Sequence, residues 1–159
     1  MGATTLPQWA RQIIDDPAWR DLAKPDNRDV NWVHSNLEGQ GLGADYYVNE
    51  SQARLKGIVV FGERTQGPPG LAHGGAIASL MDDALGTTAW MAGHRVTSLS
   101  IKVDFRKYAK LGVPLRIDGR VDRVEGRKVF VRCELLEPPG RLLAEGEGIF
   151  LQLEDGRYE

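Results

Sequence analysis

The segment Leu71-Ala72-His73-Gly74-Gly75-Ala76-Ile77-Ala78-Ser79-Leu80-Met81-Asp82-Asp83-Ala84-Leu85-Gly86 gathers the residue types that acyl-transfer chemistry needs. Two glycines at a helix start let backbone N–H groups approach a ligand closely. Those unpaired donors, with the helix dipole, favour the negative charge that builds on a carbonyl oxygen under attack. Asp82 lies on the small-residue flank of the same helix, where a carboxylate is neither part of an apolar core nor an ordinary solubilising group. Each piece also has a plainer reading: Gly-Gly as a turn, His73 as a satisfied turn residue, Asp82-Asp83 as a solvated acidic pair. Their joint occurrence with Gly75, Ala78, Ser79, Gly86 and Ala89 on one flank favours a contact surface.

Spacing adds a constraint. Gly75 and Asp82 are seven residues apart, about 10.5 Å along a helix, whereas an oxyanion donor and a base must both reach one carbonyl at about 3 Å. One helix does not supply both. The simplest arrangement is a two-fold pair of chains, each site taking Gly75 from one and Asp82 from the other. Ser98 falls on the polar side of an alternating strand with Ser100 and Lys102; it is a candidate to orient Asp82 or an attacking water, with a solvent-facing serine as the alternative. From Arg95 to Arg116 the basic residues Arg95, Lys102, Arg106, Lys107, Lys110 and Arg116 outnumber the one acid, Asp104. This excess suits an anionic substrate handle or a solvated rim.

The elements that must position these residues follow from periodicity. The helix is predicted over His73 to Met91, with Ile77, Leu80, Met81, Ala84, Leu85 and Thr88 on its large apolar flank. A strand over about 53 to 64 precedes it. Four strand-like runs follow: Leu99, Ile101, Val103 and Phe105 on the covered side of the first; Val113 to Val121; Val129 to Leu135 after a Glu125-Gly126 hairpin turn; and Leu142 to Leu153. The last carries Ile149, Leu151 and Leu153 on one face, with Gly146 and Gly148 as bulge or bend positions. One helix followed by uninterrupted antiparallel strands implies α+β, because parallel crossovers need helices between strands. Residues 1–44 read as an N-terminal arm with a short helix between Pro7 and Pro17, a turn at Pro25-Asp26-Asn27, and an irregular stretch around Gly39, Gly41 and Gly43. Residues 45–159 read as the body.

Composition narrows the function. A chain of 159 residues, 42% hydrophobic, holds one domain with a real core. The net charge of -2 argues against nonspecific nucleic-acid or membrane-surface binding. No apolar run approaches the roughly eighteen residues of a membrane span. The single cysteine, Cys133, and the absence of a leader-like start give the expectation of a cytoplasmic protein. His34, His73, His94 and Cys133 have no zinc spacing, and no Walker, dinucleotide or G-x-S-x-G motif is present, so no metal and no cofactor is expected.

The His73-Gly74-Gly75 helix with Asp82, followed by Ser98 and the strand Ser100-Ile101-Lys102-Val103-Asp104-Phe105, resembles the hotdog-fold acyl-CoA thioesterases, in particular the phenylacetate-pathway and THEM-type branch, over about residues 45 to 153. The resemblance implies a hotdog fold, with a long central helix wrapped by a curved antiparallel sheet of five or six strands. It further implies pairing of two subunits into a continuous sheet, often as a dimer of dimers, so a homodimer or homotetramer. By position Asp82 matches the catalytic carboxylate, Gly75 the backbone oxyanion donor, His73 a residue steadying the loop and the thioester carbonyl, and Ser98 the hydroxyl near the attacking water. Gly74, Asp83, Arg106, Lys107 and Lys102 are the substrate-binding candidates. The implied reaction is hydrolysis of an acyl-CoA to free acid and thiol; coenzyme A is part of the substrate rather than a cofactor. A hotdog 3-hydroxyacyl-thioester dehydratase and a non-catalytic acyl-CoA-binding protein stay open as alternatives, although His73 precedes glycines instead of standing beside Asp82.

Overall fold

The computed structural model describes residues 5–22, 32–34 and 39–154, so the turn expected at Pro25-Asp26-Asn27 lies outside the described residues. In chain order the elements are α1 (Gln8–Asp15), β1 (Arg20–Asp21), β2 (Leu42–Asn49), β3 (Arg54–Phe61), α2 (Gly74–Met91), β4 (Val96–Phe105), β5 (Leu115–Glu125), β6 (Lys128–Glu137) and β7 (Arg141–Gln152). All strand pairs are antiparallel, in one sheet of order β1-β2-β3-β5-β6-β7-β4. The class is therefore α+β, hotdog-like, with one long helix against an antiparallel sheet.

Three expectations are corrected. The sheet has seven strands, not five or six. Gly43 is not irregular, unlike Gly39 and Gly41: β2 begins at Leu42 and keeps Gly43 in register with Val60 of β3, and the short β1 adds to its free edge. The sheet is also open rather than curled around the helix. Closure would require β1 to pair with β4; β1 has two residues, and both strands remain edges. α2 accordingly lies on one face, mostly over β4 to β7.

That face explains the packing. Leu80, Met81, Ala84 and Leu85 are fully buried, and Thr88 is satisfied by donating to the Ala84 carbonyl at 2.7 Å. Ala89, on the small-residue flank, is also fully buried, because the chain folds back over the helix end and the His94 N–H donates to the Ala89 carbonyl at 3.0 Å. The sheet meets the helix through small residues. A Cβ at Gly119 would sit 2.3 Å from Thr88 Oγ1, and one at Gly146 would sit 2.9 Å from Cys133 Sγ and 3.1 Å from Met81 Sδ. The buried positions of β7 are Leu143, Ala144, Gly146, Gly148 and Phe150, while Ile149 and Leu151 in the strand and Leu153 just past its end are half-buried. Gly146 and Gly148 are neither bulges nor bends; pairing to β6 and β4 runs unbroken through both, and they are small because the helix is close.

β4 departs from the expected covered strand. Its register against β7 shifts between Ser98 and Ser100, leaving Leu99 52% exposed. Ile101 and Phe105, opposite the buried Gly148 and Ala144, are nevertheless 38% and 55% exposed, because β4 is an edge strand.

Candidate active site

The start of α2 is fixed by the loop that precedes it. The Ala72 N–H donates to Ala109 O at 2.9 Å and the His73 N–H to Thr65 O at 2.7 Å, so the chain enters the helix in one register. His73 is the N-cap. Its carbonyl accepts from Ala76 and Ile77, and its Nδ1 accepts from the Gly75 N–H at 2.8 Å. The amide singled out as an oxyanion donor is therefore satisfied by the imidazole, which itself is exposed. That contact fixes the free His73 nitrogen as Nε2–H when the ring is neutral.

Two turns on, Asp82 and Asp83 part company. Asp82 Oδ1 accepts from the Ser98 hydroxyl at 2.9 Å, which joins the helix to the start of β4. Asp83 Oδ2 accepts from the Tyr46 hydroxyl at 2.7 Å and lies 3.1 Å from His34 Nε2. A carboxylate accepts only, so that nitrogen carries the hydrogen. The His34 and Tyr46 rings meet edge to face at 5.4 Å. Burial, reinforced by the neighbouring Asp83 charge, pushes the Tyr46 phenol well above its usual range. Asp83 is thus tied into the protein, while Asp82 opens with Asp83, Gly86, Thr87, Trp90, Val96, Thr97, Ser98 and Phe150 onto a cleft of about 340 Å³.

The remaining candidates divide between two places. Gly74, Arg106 and Lys107 line a second cavity of about 530 Å³ with Ile77, Phe105 and Tyr108. Arg106 is held there by Glu145 at 2.8 Å. Lys102 does not join them: it stands on the other face of β4 from Val103 and pairs with Asp104 at 2.9 Å, a contact that raises the lysine pKa and lowers that of the aspartate. Cys133, buried beside Met81, has its thiol pushed up by burial and is not a nucleophile. His34 and Tyr46 were not singled out by sequence. They stand 49 and 37 residues from Asp83, and no local pattern joins such positions.

Among the described residues, no helix is long and apolar enough to cross a membrane. The family model described as "Thioesterase superfamily" matches residues 69–144, which span α2, Asp82 and Ser98. The acyl-coenzyme A thioesterase THEM4 of Xenopus laevis is 32% identical over 130 residues, covering 80% of this chain; the chain spans 59% of that relative's length. Among solved structures, the thioesterase superfamily protein RHA08564 superposes with a TM-score of 0.66 at 26% identity, over 69% of this chain and 54% of that one. Protein smu.793 from Streptococcus mutans UA159, solved bound to acetyl CoA, shares the fold with a TM-score of 0.64 at 22% identity, over 70% of this chain and 89% of that one. With a helix opened by His73-Gly74-Gly75, an acid at Asp82 and the sheet that carries Ser98 to it, the chain belongs to the hotdog-fold thioesterase superfamily and is related to the THEM4 acyl-coenzyme A thioesterases.

Proposed function

We propose that the chain is an acyl-CoA thioesterase that hydrolyses the thioester to a free carboxylic acid and coenzyme A, and that it works as a pair of copies. The observation that carries this reading is the Ser98 hydroxyl bonded at 2.9 Å to Asp82 Oδ1, on a cleft open to a small molecule. The activity named for THEM4 and the acetyl CoA bound to smu.793 support the choice of substrate.

In this reading Asp82 takes a proton from water as the water oxygen bonds to the carbonyl carbon. The carbonyl electron pair moves onto its oxygen, and the Gly75 N–H of the other copy donates to the resulting oxyanion. Collapse breaks the C–S bond, and the sulfur leaves with the proton held on Asp82. Direct attack by Asp82, followed by hydrolysis of the mixed anhydride, gives the same products. Ser98 holds the carboxylate in either case. The Gly75 amide exchanges its 2.8 Å bond to His73 Nδ1 for a charge-assisted one to the oxyanion. His73 then turns toward the thioester carbonyl. Arg106 and Lys107, at the cavity that includes Gly74, supply the phosphate handle. Lys102 belongs to that handle only from the far face of the strand.

The test is thiol release from acetyl-, hexanoyl-, decanoyl-, palmitoyl- and phenylacetyl-CoA. Asp82→Asn should lower kcat at least 100-fold, about 2.7 kcal/mol of transition-state stabilisation, with the thermal unfolding midpoint held near that of wild type. An Asp82→Asn variant at full rate refutes the assignment.

A further inference from the structure

Two hydrogen bonds close the Asp82 cleft at its two ends. At one, the Ser98 hydroxyl joins Asp82 Oδ1 at 2.9 Å; at the other, the Trp90 indole N–H donates to the Val96 carbonyl at 3.2 Å. Arg95 lies over the same indole, 5.4 Å from its centroid. Helix α2 and the start of β4 are thus tied at both ends of one slot. Along α2, Asp82, Gly86 and Trp90 recur every four residues, which puts them on one side of the helix. The eight-residue step from Asp82 to Trp90 spans about 12 Å at about 1.5 Å per residue. Between the ends the lining is Gly86, Thr87, Thr97 and the edge of Phe150, which is 1% exposed and forms the floor. Gly86 is what leaves this stretch open. A Cβ there would stand 3.6 Å from Phe150 Cε1, ordinary contact, so an alanine fits the fold while taking up space in the slot.

We infer that Gly86 and Trp90 set the length of the acyl group, with the chain lying along α2 from Asp82 over Gly86 and stopping at the fixed indole. This rests on the thioesterase reading and adds to it the substrate class: straight, medium-length acyl thioesters, with long chains excluded. Each methylene buried in the slot raises kcat/KM about fourfold. Once the chain meets Trp90 the gain ends, because a side chain pinned by its N–H and stacked under Arg95 does not swing away without losing both contacts.

The experiment measures kcat/KM for thiol release along the straight-chain series from acetyl- to palmitoyl-CoA in wild type, Trp90→Ala and Gly86→Ala. In wild type, kcat/KM should climb and then fall before palmitoyl-CoA. Trp90→Ala should move the maximum to longer chains and raise the palmitoyl-to-hexanoyl ratio at least tenfold. Gly86→Ala should move it the other way, lowering the decanoyl-to-acetyl ratio at least tenfold. Should Trp90→Ala fail to fold, Gly86→Ala still decides, since its methyl meets no more than van der Waals contact. Thiol release with profiles parallel in all folded variants overturns the ruler and leaves the hydrolase standing. Wild-type protein that releases no thiol from any of these substrates overturns the thioesterase reading and the ruler with it.

Discussion

Asp82 and Asp83 are adjacent in sequence and differ in their surroundings. One has a single exposed serine as partner; the other is gripped by a buried tyrosine and by His34. The second arrangement makes a measurable prediction. Burial and Asp83 hold the Tyr46 phenol above its ordinary 10.0, so as pH rises past about 10 the unfolded chain releases this proton before the folded one does. The stabilisation is complete below about pH 10 and is lost on going above it. Tyr46→Phe removes the titrating hydroxyl and one donor to Asp83. Near neutral pH it should cost about 1.5–3 kcal/mol, the worth of a hydrogen bond to a charged group. From about pH 10 to about pH 11 its unfolding midpoint should fall less steeply than that of wild type. Parallel midpoint curves would contradict the buried contact. At this scale the residues that meet in the His73–Gly75 and Asp82–Ser98 contacts were picked out from sequence, since helix punctuation, a misplaced acid and strand alternation are local signals. His34 was not, because the fold alone carries it to Asp83.

Helix α2 was legible from its first turn to its last, because glycines punctuate its start and its large apolar residues recur at helical spacing. The sheet faces were less so. Alternation in β7 is read from the large residues Ile149, Leu151 and Leu153, yet the helix packs on Gly146, Gly148 and Phe150, where close approach requires small side chains. A pattern of size rather than of hydrophobicity marks that face, and a hydropathy reading passes over it. Gly119 is the sharpest instance, with Thr88 Oγ1 2.3 Å from where its Cβ would stand. Thr88 is itself buried and bonded to Ala84 O at 2.7 Å, so it has little room to yield. Gly119→Ala should therefore destabilise by about 1–3 kcal/mol through overpacking. Chemical denaturation with unchanged slope checks this. A variant as stable as wild type would mean that helix and sheet separate more easily than the packing implies.

At the scale of the whole molecule, β4 is the unfinished part. It is a ten-residue edge strand that leaves Leu99, Ile101 and Phe105 exposed, and edges of this length and character are normally covered. In the proposed pair, a second copy along β4 would cover them, extend the sheet and bring another α2 toward Asp82. Ile101→Lys puts a charge on that edge. It should yield monomers by sedimentation and lose thioesterase activity together with the assembly; a monomer of full activity would remove the need for a partner. The shared site itself is tested most directly by complementation. Gly75→Pro deletes the amide hydrogen in the first helical turn, where proline is tolerated, and Asp82→Asn deletes the acid. Each variant alone should be nearly inactive. Co-expressed, half of the pairs formed at random are mixed, and each mixed pair holds one site with both groups intact, so about a quarter of wild-type turnover should return. Turnover no higher than the sum of the two separate variants would show that each chain works with its own Gly75 and Asp82.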